Sequence, residues 1–266
     1  MRFIIHGGTL SRSLQSISSV VPSGRTMPIL LNFLMELKGE DLTVTASDLE
    51  TTITVKLNPG MVEQGSINRI AIPAKMFLEV VNSLSTQQIT VEVQEDFSVG
   101  ITAGTGKYKL VGEDPESYPV AMELEEPLLT TISSSVLVKA IGKTIFATGN
   151  SELRPQMSGV LCEQTENGTT FVATDAHKLV KYTRTDCKCD EPRSFILPKT
   201  PLGLLNKLLS SYKEEMDVKM ENNKENVRFT FENYTLISRL IDGKYPNYNM
   251  AIPENNPNKL IMDRAM

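Results

Sequence analysis

A repeat with a step of 127 residues runs through this chain. Leu42-Thr43-Val44-Thr45-Ala46-Ser47-Asp48 returns as Thr169-Thr170-Phe171-Val172-Ala173-Thr174-Asp175, and Tyr118-Pro119 returns as Tyr245-Pro246. Ile72-Pro73-Ala74-Lys75 is echoed by Leu197-Pro198-Lys199 at a step of 125. Identities are few, but their order is kept, so the chain is built from copies of one unit. Its 266 residues suffice for two ordinary domains.

The apolar spacing repeats as well. Leu10, Leu14, Ile17 and Val21 predict an amphipathic helix near 8–21, and Val136, Leu137, Ile141, Ile145 and Phe146 predict its counterpart near 135–148. Alternation predicts half-buried strands at 34–37, 52–57 and 89–93. Lys38-Gly39-Glu40-Asp41 and Glu166-Asn167-Gly168 supply turns, the second with the Asn-Gly pair of a tight hairpin. A second helix follows a proline in each copy, near 74–84 and near 199–210. Each copy therefore reads helix, strands, helix, strands, an α+β class. The expected units are 1–122 and 123–252. Residues 253–266 begin like another copy, since Asn256-Pro257-Asn258-Lys259-Leu260-Ile261-Met262 echoes Glu126-Pro127-Leu128-Leu129-Thr130-Thr131-Ile132. The expectation is a linker and the first strand of a third unit that the chain lacks, left as an unpaired edge, in a shortened product.

Charge is sorted by element. The four predicted helices hold Arg12, Lys75, Lys139, Lys143, Lys199 and Lys207 against Glu79 alone. That leaves them at +5, and because the chain carries −5, the remainder carries −10. A basic surface made by helices suits phosphate contacts without base readout. No apolar run approaches the roughly 18 residues of a membrane span, the N-terminus lacks a signal peptide's apolar core, and three cysteines make no disulfide framework, so a cytoplasmic chain without membrane contact is expected.

Four segments in order carry a family resemblance. Gly24-Arg25-Thr26-Met27-Pro28-Ile29-Leu30, Ser47-Asp48-Leu49-Glu50, Ala173-Thr174-Asp175-Ala176-His177-Lys178-Leu179 and Leu240-Ile241-Asp242-Gly243-Lys244-Tyr245-Pro246-Asn247-Tyr248 resemble the G-R-x-x-P-I-L, T-D-L-E, A-T-D-G-H-R-L and L-[IV]-[DE]-G-[RK]-[FY]-P-[DN]-Y stretches of bacterial DNA polymerase III beta subunits, the sliding clamps of the replicase. The resemblance covers the whole chain and the first two of the family's three domains. It implies clamp domains whose inner helices pack on antiparallel sheets that form an outer wall, and a head-to-tail dimeric ring around double-stranded DNA that tethers the polymerase. This chain is not expected to close a ring alone. Implied partners are the DNA polymerase III catalytic subunit, the clamp loader, replication and repair proteins with clamp-binding peptides, and a second protomer. A nucleoid-associated place in a bacterial cytoplasm follows, with no cofactor and no catalysis.

Position by position, the resemblance assigns DNA contact to Arg25 and Lys75, and helix placement adds Lys139, Lys143, Lys199 and Lys207. It assigns half of a partner-peptide groove to Met157, Thr174, Ala176, His177, Lys178, Leu179, Pro246, Met250 and Ala251. Met157 and Met250 suit a slot that repacks around varied ligands. Met76, Val80, Tyr108 and Leu110 match the first-domain side of the ring joint. Two departures stand out: Ala176 replaces the usual glycine, and Pro155-Gln156 replace residues that are aromatic in some clamps.

Other classes of function find less support. Asp175 and His177 would share a face in a strand and could look like an acid/base pair, but no nucleophile context or glycine-rich phosphate loop accompanies them. Cys187-Lys188-Cys189 with Cys162 or His177 lacks the paired spacing of a zinc site and reads as free thiols in a charged loop. Asn167-Gly168-Thr169 and Asn233-Tyr234-Thr235 fit a glycosylation pattern that a cytoplasmic chain leaves unused. The remaining alternative is a non-catalytic repeat scaffold that binds only protein partners through the groove.

Overall fold

The computed structural model describes residues 1–24, 27–151, 153–253, 257–258 and 260–263. The first copy comprises β1 (Arg2–His6), α1 (Gly7–Ile17), β2 (Asn32–Lys38), β3 (Asp41–Ser47), β4 (Thr51–Leu57), β5 (Met61–Glu63), β6 (Arg69–Pro73), α2 (Ala74–Ser83), β7 (Gln88–Val93), β8 (Ser98–Ala103) and β9 (Gly106–Val111). The second comprises β10 (Leu128–Ser133), α3 (Ser134–Thr144), β11 (Gly159–Thr165), β12 (Gly168–Thr174), β13 (Leu179–Arg184), β14 (Arg193–Pro198), α4 (Lys199–Ser210), β15 (Asp217–Asn222), β16 (Asn226–Phe231) and β17 (Tyr234–Arg239). Element for element the order is the same, apart from the short β5, which has no counterpart.

Each copy splits its strands between two antiparallel sheets with a helix pair against them. The strand orders are β5-β1-β7-β8-β9, β13-β12-β11-β14, and an eight-stranded β10-β15-β16-β17-β4-β3-β2-β6. The long sheet crosses from one copy to the other at β17 and β4, which pair from Tyr234 opposite Val55 to Ser238 opposite Thr51. Backbone bonds extend the seam at both ends: Lys56 N donates to Asn233 O at 2.8 Å and Arg239 N to Glu50 O at 2.9 Å. Side chains add to it: the hydroxyls of Ser16 and Tyr234 meet at 2.9 Å, and Asn233 Nδ2 donates to Lys56 O at 2.8 Å.

The helices form where their apolar stripes meet the sheets. Leu10, Leu14 and Ile17 of α1 are fully enclosed, as is Phe77 of α2, and a single apolar cluster continues through both copies to Leu236. Burying each such side chain contributes about 1.5–3 kcal/mol relative to exposure. The helix starts are local events. His6 Nδ1 accepts the Gly8 N–H at 3.2 Å and caps α1, while Pro73 and Pro198 close their strands and stand at the caps of α2 and α4. Gly7 has no room for a side chain, because a Cβ there would lie 2.2 Å from Leu84 O.

Both first helices are shorter than their apolar spacing predicts. α1 tightens into a 3-10 turn at Ser18–Val20, and α3 does the same at Ile145–Ala147. Hydroxyls bonding backwards explain the change. Ser16 Oγ donates to Ser13 O at 2.6 Å, Ser18 Oγ to Gln15 O at 2.9 Å and Thr144 Oγ1 to Ala140 O at 2.7 Å, so side chains engage carbonyls that an α-helix would use. Among the described residues after Ile252 none lies in a strand, and Leu260, Ile261 and Met262 are exposed.

The tight hairpin forms, with the Asn167-Gly168 pair shifted by one residue from its centre. Thr165 pairs with Gly168, so the loop is Glu166-Asn167 and the glycine is the first residue of β12. Gly168 has φ +143°, and a Cβ on it would lie 2.3 Å from Arg184 O. The glycine serves a close backbone approach across to β13.

Candidate functional site

The basic residues of the helices keep to the stripes that the core leaves free. In α3, Val136, Leu137, Ala140, Ile141 and Thr144 are buried, whereas Lys139 and Lys143, one turn apart, are exposed. Lys75 and Lys207 are exposed as well. Lys199, half-buried at the start of α4, donates from Nζ to Asn150 Oδ1 at 3.1 Å, and Lys143 Nζ lies 5.8 Å from the centre of the Tyr182 ring. The helices pair as α1 with α2 and α3 with α4. The first pair is stitched by Asn82, whose Oδ1 accepts from Ser11 Oγ at 2.5 Å and from Gln15 Nε2 at 2.9 Å. Arg25 lies outside the described residues.

Most of the groove residues meet around the β12–β13 turn. Asp175 Oδ1 accepts the N–H of His177 at 3.0 Å and of Lys178 at 2.9 Å, and its Oδ2 pairs with Lys178 Nζ. The side-chain bond from Lys178, then the two backbone donors, hold the Asp175 carboxyl well below the usual carboxylate range. Thr174 Oγ1 accepts from Ala176 N at 3.1 Å and donates to Lys178 O at 2.8 Å. Together these bonds hold Ala176 at φ +77°, a left-handed conformation that disfavours any side chain.

Behind the turn sits Tyr245, which the repeat marks but the residue-by-residue assignment omits. Its hydroxyl accepts the Thr174 N–H at 3.1 Å, and burial pushes its pKa up to about 12. Tyr245 packs with Leu161, Val172, Ile196 and Tyr248, against which Leu179 and Ile252 are half-buried. Met157 is buried, and its carbonyl accepts from Gly149 N at 2.7 Å close to Asp175. Pro246 and Ala251 are exposed, and Met250 is 83% exposed. Pro246 borders a hollow of about 590 Å³ that Leu161, Glu163, Tyr245 and Tyr248 also line. In it Tyr248 donates its hydroxyl to Glu163 Oε2, and Lys181 Nζ sits 5.2 Å from the Tyr248 ring centre.

The four residues matched to a ring joint divide in two. Met76 and Tyr108 present 54% and 39% of their surface, whereas Val80 is half-buried and Leu110 buried. Tyr108 and Leu110 lie on β9, an end strand of its sheet, as β13 is of another. By position in the repeat β9 corresponds to β17 and β13 to β4, the two strands that form the seam.

Asp175 and His177 belong to a turn rather than a strand, and the carboxylate is committed to that turn. An acid/base pair is not what this geometry builds. Cys162, Cys187 and Cys189 are free and buried, so the charged loop turns its thiols inward. Cys187 Sγ sits 3.4 Å from Thr169 Oγ1, and Cys189 Sγ 3.8 Å from Thr130 Oγ1. Among the described residues no three of His, Cys, Asp and Glu gather to hold a metal. No helix among them is long and apolar enough to cross a membrane.

Known proteins bear on these placements. The pattern of the DNA polymerase III beta subunit N-terminal domain matches residues 1–123, and that of its central domain matches residues 131–247. Over 262 residues the chain is 31% identical to the beta sliding clamp of Halalkalibacterium halodurans, covering 96% of this chain and 68% of that protein. The crystal structure of the DNA polymerase III subunit beta from Pseudomonas aeruginosa superposes with a TM-score of 0.89 at 27% identity, covering 97% of this chain and 69% of that one. A sliding clamp from the same organism, bound to griselimycin, superposes with a TM-score of 0.89 at 26% identity over the same shares of the two chains. Repeat, sheet order and paired helices are thus those of a known architecture, and the chain belongs to the DNA polymerase III beta subunit family, the sliding clamps.

Proposed function

We propose that this chain acts as a replicase processivity factor, part of a head-to-tail dimeric ring that encircles duplex DNA and tethers the DNA polymerase without doing chemistry. The observation that carries the reading is one sheet continuous across both copies with four helices bearing six basic residues and one acidic. A clamp must hold phosphates weakly and without regard to sequence, and a lysine-bearing helical surface backed by an acidic remainder does so while discouraging DNA from the outer wall. Tethering raises the polymerase's effective concentration at the primer end.

In this reading 1–122 and 123–252 are clamp domains, and residues from 253 on lead toward a third. Arg25, Lys75, Lys139, Lys143, Lys199 and Lys207 face DNA. Met157, Thr174, Ala176, His177, Lys178, Leu179, Pro246, Met250 and Ala251 form the second-domain half of the groove for peptides of the polymerase, the clamp loader and repair proteins. The griselimycin-bound relative supports a ligand site on this fold. Met76, Val80, Tyr108 and Leu110 flank the β9 edge, where a second protomer would repeat the β4–β17 seam. The place of work is the bacterial cytoplasm, at the nucleoid.

The test is duplex binding at low ionic strength by fluorescence anisotropy, comparing the native chain with a Lys139→Glu/Lys143→Glu variant. The expected result is sequence-independent affinity that falls with salt, with a smaller salt slope in the variant by about 0.9 per phosphate contact removed. Equal affinity and slope in both proteins would overturn the assignment of these lysines and favour a scaffold that binds protein partners alone.

A further inference from the structure

A second hollow lies where the segment joining the copies passes the β15–β16 hairpin and β14. It has a volume of about 1270 Å³ and is lined by Glu123, Glu125, Glu126 and Glu225 together with Arg193 and Lys224. Four carboxylates thus meet two cations, and Arg193 is engaged elsewhere. Its Nε donates to Gln164 Oε1 at 2.6 Å and its Nη2 to Thr130 Oγ1. The four glutamates are exposed.

Asn222 and Asn226, 5% and 8% exposed, line the same hollow. Each keeps a buried side-chain oxygen with no hydrogen-bond partner among the described residues. The orientation of Asn222 is set by its nitrogen, which donates to Asn223 O at 3.3 Å. Buried amide oxygens ordinarily find a donor. Here unpaired acceptors and carboxylates line one hollow, so the complementary group is one that only donates. Guanidinium and ammonium have five and three donors and no acceptor.

We propose that this hollow takes the arginine or lysine side chains of a basic segment in a protein partner. A peptide is favoured by continuity, because Ser194, Phe195 and Lys224 line both this hollow and the smaller one bordered by Pro246. A partner seated in the groove reaches the acidic hollow with its flanking residues. In that clause alone the proposal rests on the groove reading. A divalent cation is the competing occupant for such oxygens, but among the described residues the carboxylates are not gathered for one.

The experiment titrates the ¹⁵N-labelled 266-residue chain with acetylated tetra-arginine amide, a probe that carries no groove-binding sequence. Saturable shifts of the Asn222 and Asn226 side-chain amide signals are expected. The Glu123→Gln/Glu125→Gln/Glu126→Gln variant should bind the probe about tenfold more weakly. A Glu40→Gln/Glu116→Gln/Glu214→Gln control, which loses the same charge elsewhere, should change affinity by less than about twofold. Equal losses in the two variants would reduce the effect to net charge and overturn the proposal. So would calcium chloride shifting the two asparagine signals while tetra-arginine does not. The groove reading fails separately, through a clamp-binding peptide that leaves the backbone signals of Thr174–Leu179 unmoved.

Discussion

Leu49 and Ala176 occupy the same position in the two copies and share the same left-handed backbone, with φ +78° and +77°. The bonds that impose it are shared too. Asp48 Oδ1 accepts from the N–H groups of Glu50 at 3.1 Å and Thr51 at 2.7 Å, as Asp175 does from His177 and Lys178. Ser47 Oγ accepts from Leu49 N at 3.2 Å, as Thr174 Oγ1 does from Ala176 N. Asp and the preceding hydroxyl define the turn, and the residue after the aspartate bears its strain. We therefore expect Ala176→Gly to stabilise the chain by about 0.5–1 kcal/mol, the relief of a left-handed Cβ less the extra freedom glycine gives the unfolded chain. Urea unfolding of the two proteins measures it, and an unchanged or lowered midpoint would contradict a strained turn.

The same turn makes a prediction in pH. Asp175 has its folded pKa depressed, first by the side-chain bond from Lys178 and then by backbone donors. A depressed carboxylate contributes stability above its unfolded pKa and loses it as pH falls through the folded one. The turn should therefore persist through the ordinary carboxylate range and loosen only below it. Carboxyl-carbon NMR should find Asp175 titrating below the ordinary aspartate value of 3.8, and Lys178→Ala should move the midpoint back toward that value.

Across the seam, Tyr234→Phe and Ser16→Ala each remove the same hydroxyl pair. Each should cost about 1 kcal/mol, and the double variant should cost little more than either single one. Thermal unfolding of the four proteins completes the cycle. Additive losses would mean that the 2.9 Å contact does not couple the copies.

The thiols should be inert in the folded chain. Burial pushes the Cys162 thiol well up, with Cys187 nearby adding to the effect, and burial raises the Cys187 thiol too. At pH 8 a disulfide reagent should label these cysteines only as fast as the chain opens, and promptly in denaturant. Immediate labelling of the native chain would show that the 185–192 loop does not hold its cysteines inside.

The repeat and the helix stripes were legible in the residues because each depends on side chains at fixed spacing, whereas the turns centred on Asp48 and Asp175 were not read as turns. Leu10, Leu14 and Ile17 mark a helix face whatever the chain does elsewhere. Charge could be read for the same reason, since Lys139 and Lys143 are exposed on the stripe that the core leaves free. The left-handed Leu49 was hidden because no glycine announces it. Gly168 signalled a turn but serves a close approach to Arg184 O, a contact between residues that are distant along the chain. The inward-facing Cys187 and Cys189 were masked by the charged neighbours Asp186, Lys188 and Asp190. Tyr245 stood out only as half of a repeated Tyr-Pro pair, and its bond to the Thr174 N–H required the fold to be seen.

The seam between β4 and β17 was illegible for a different reason: it is made of peptide groups, which every residue but proline supplies in full. That gives the architecture an unusual tolerance. An interface recognised through side chains ties its two surfaces to each other, so that a change on one demands a change on the other. A seam recognised through backbone lets either strand exchange one buried side chain for another that packs while the pairing stays in register. Duplicated units joined in this way can differ at most positions, keeping little more than an aspartate, a hydroxyl and a tyrosine-proline pair at matching places, and still interlock edge to edge.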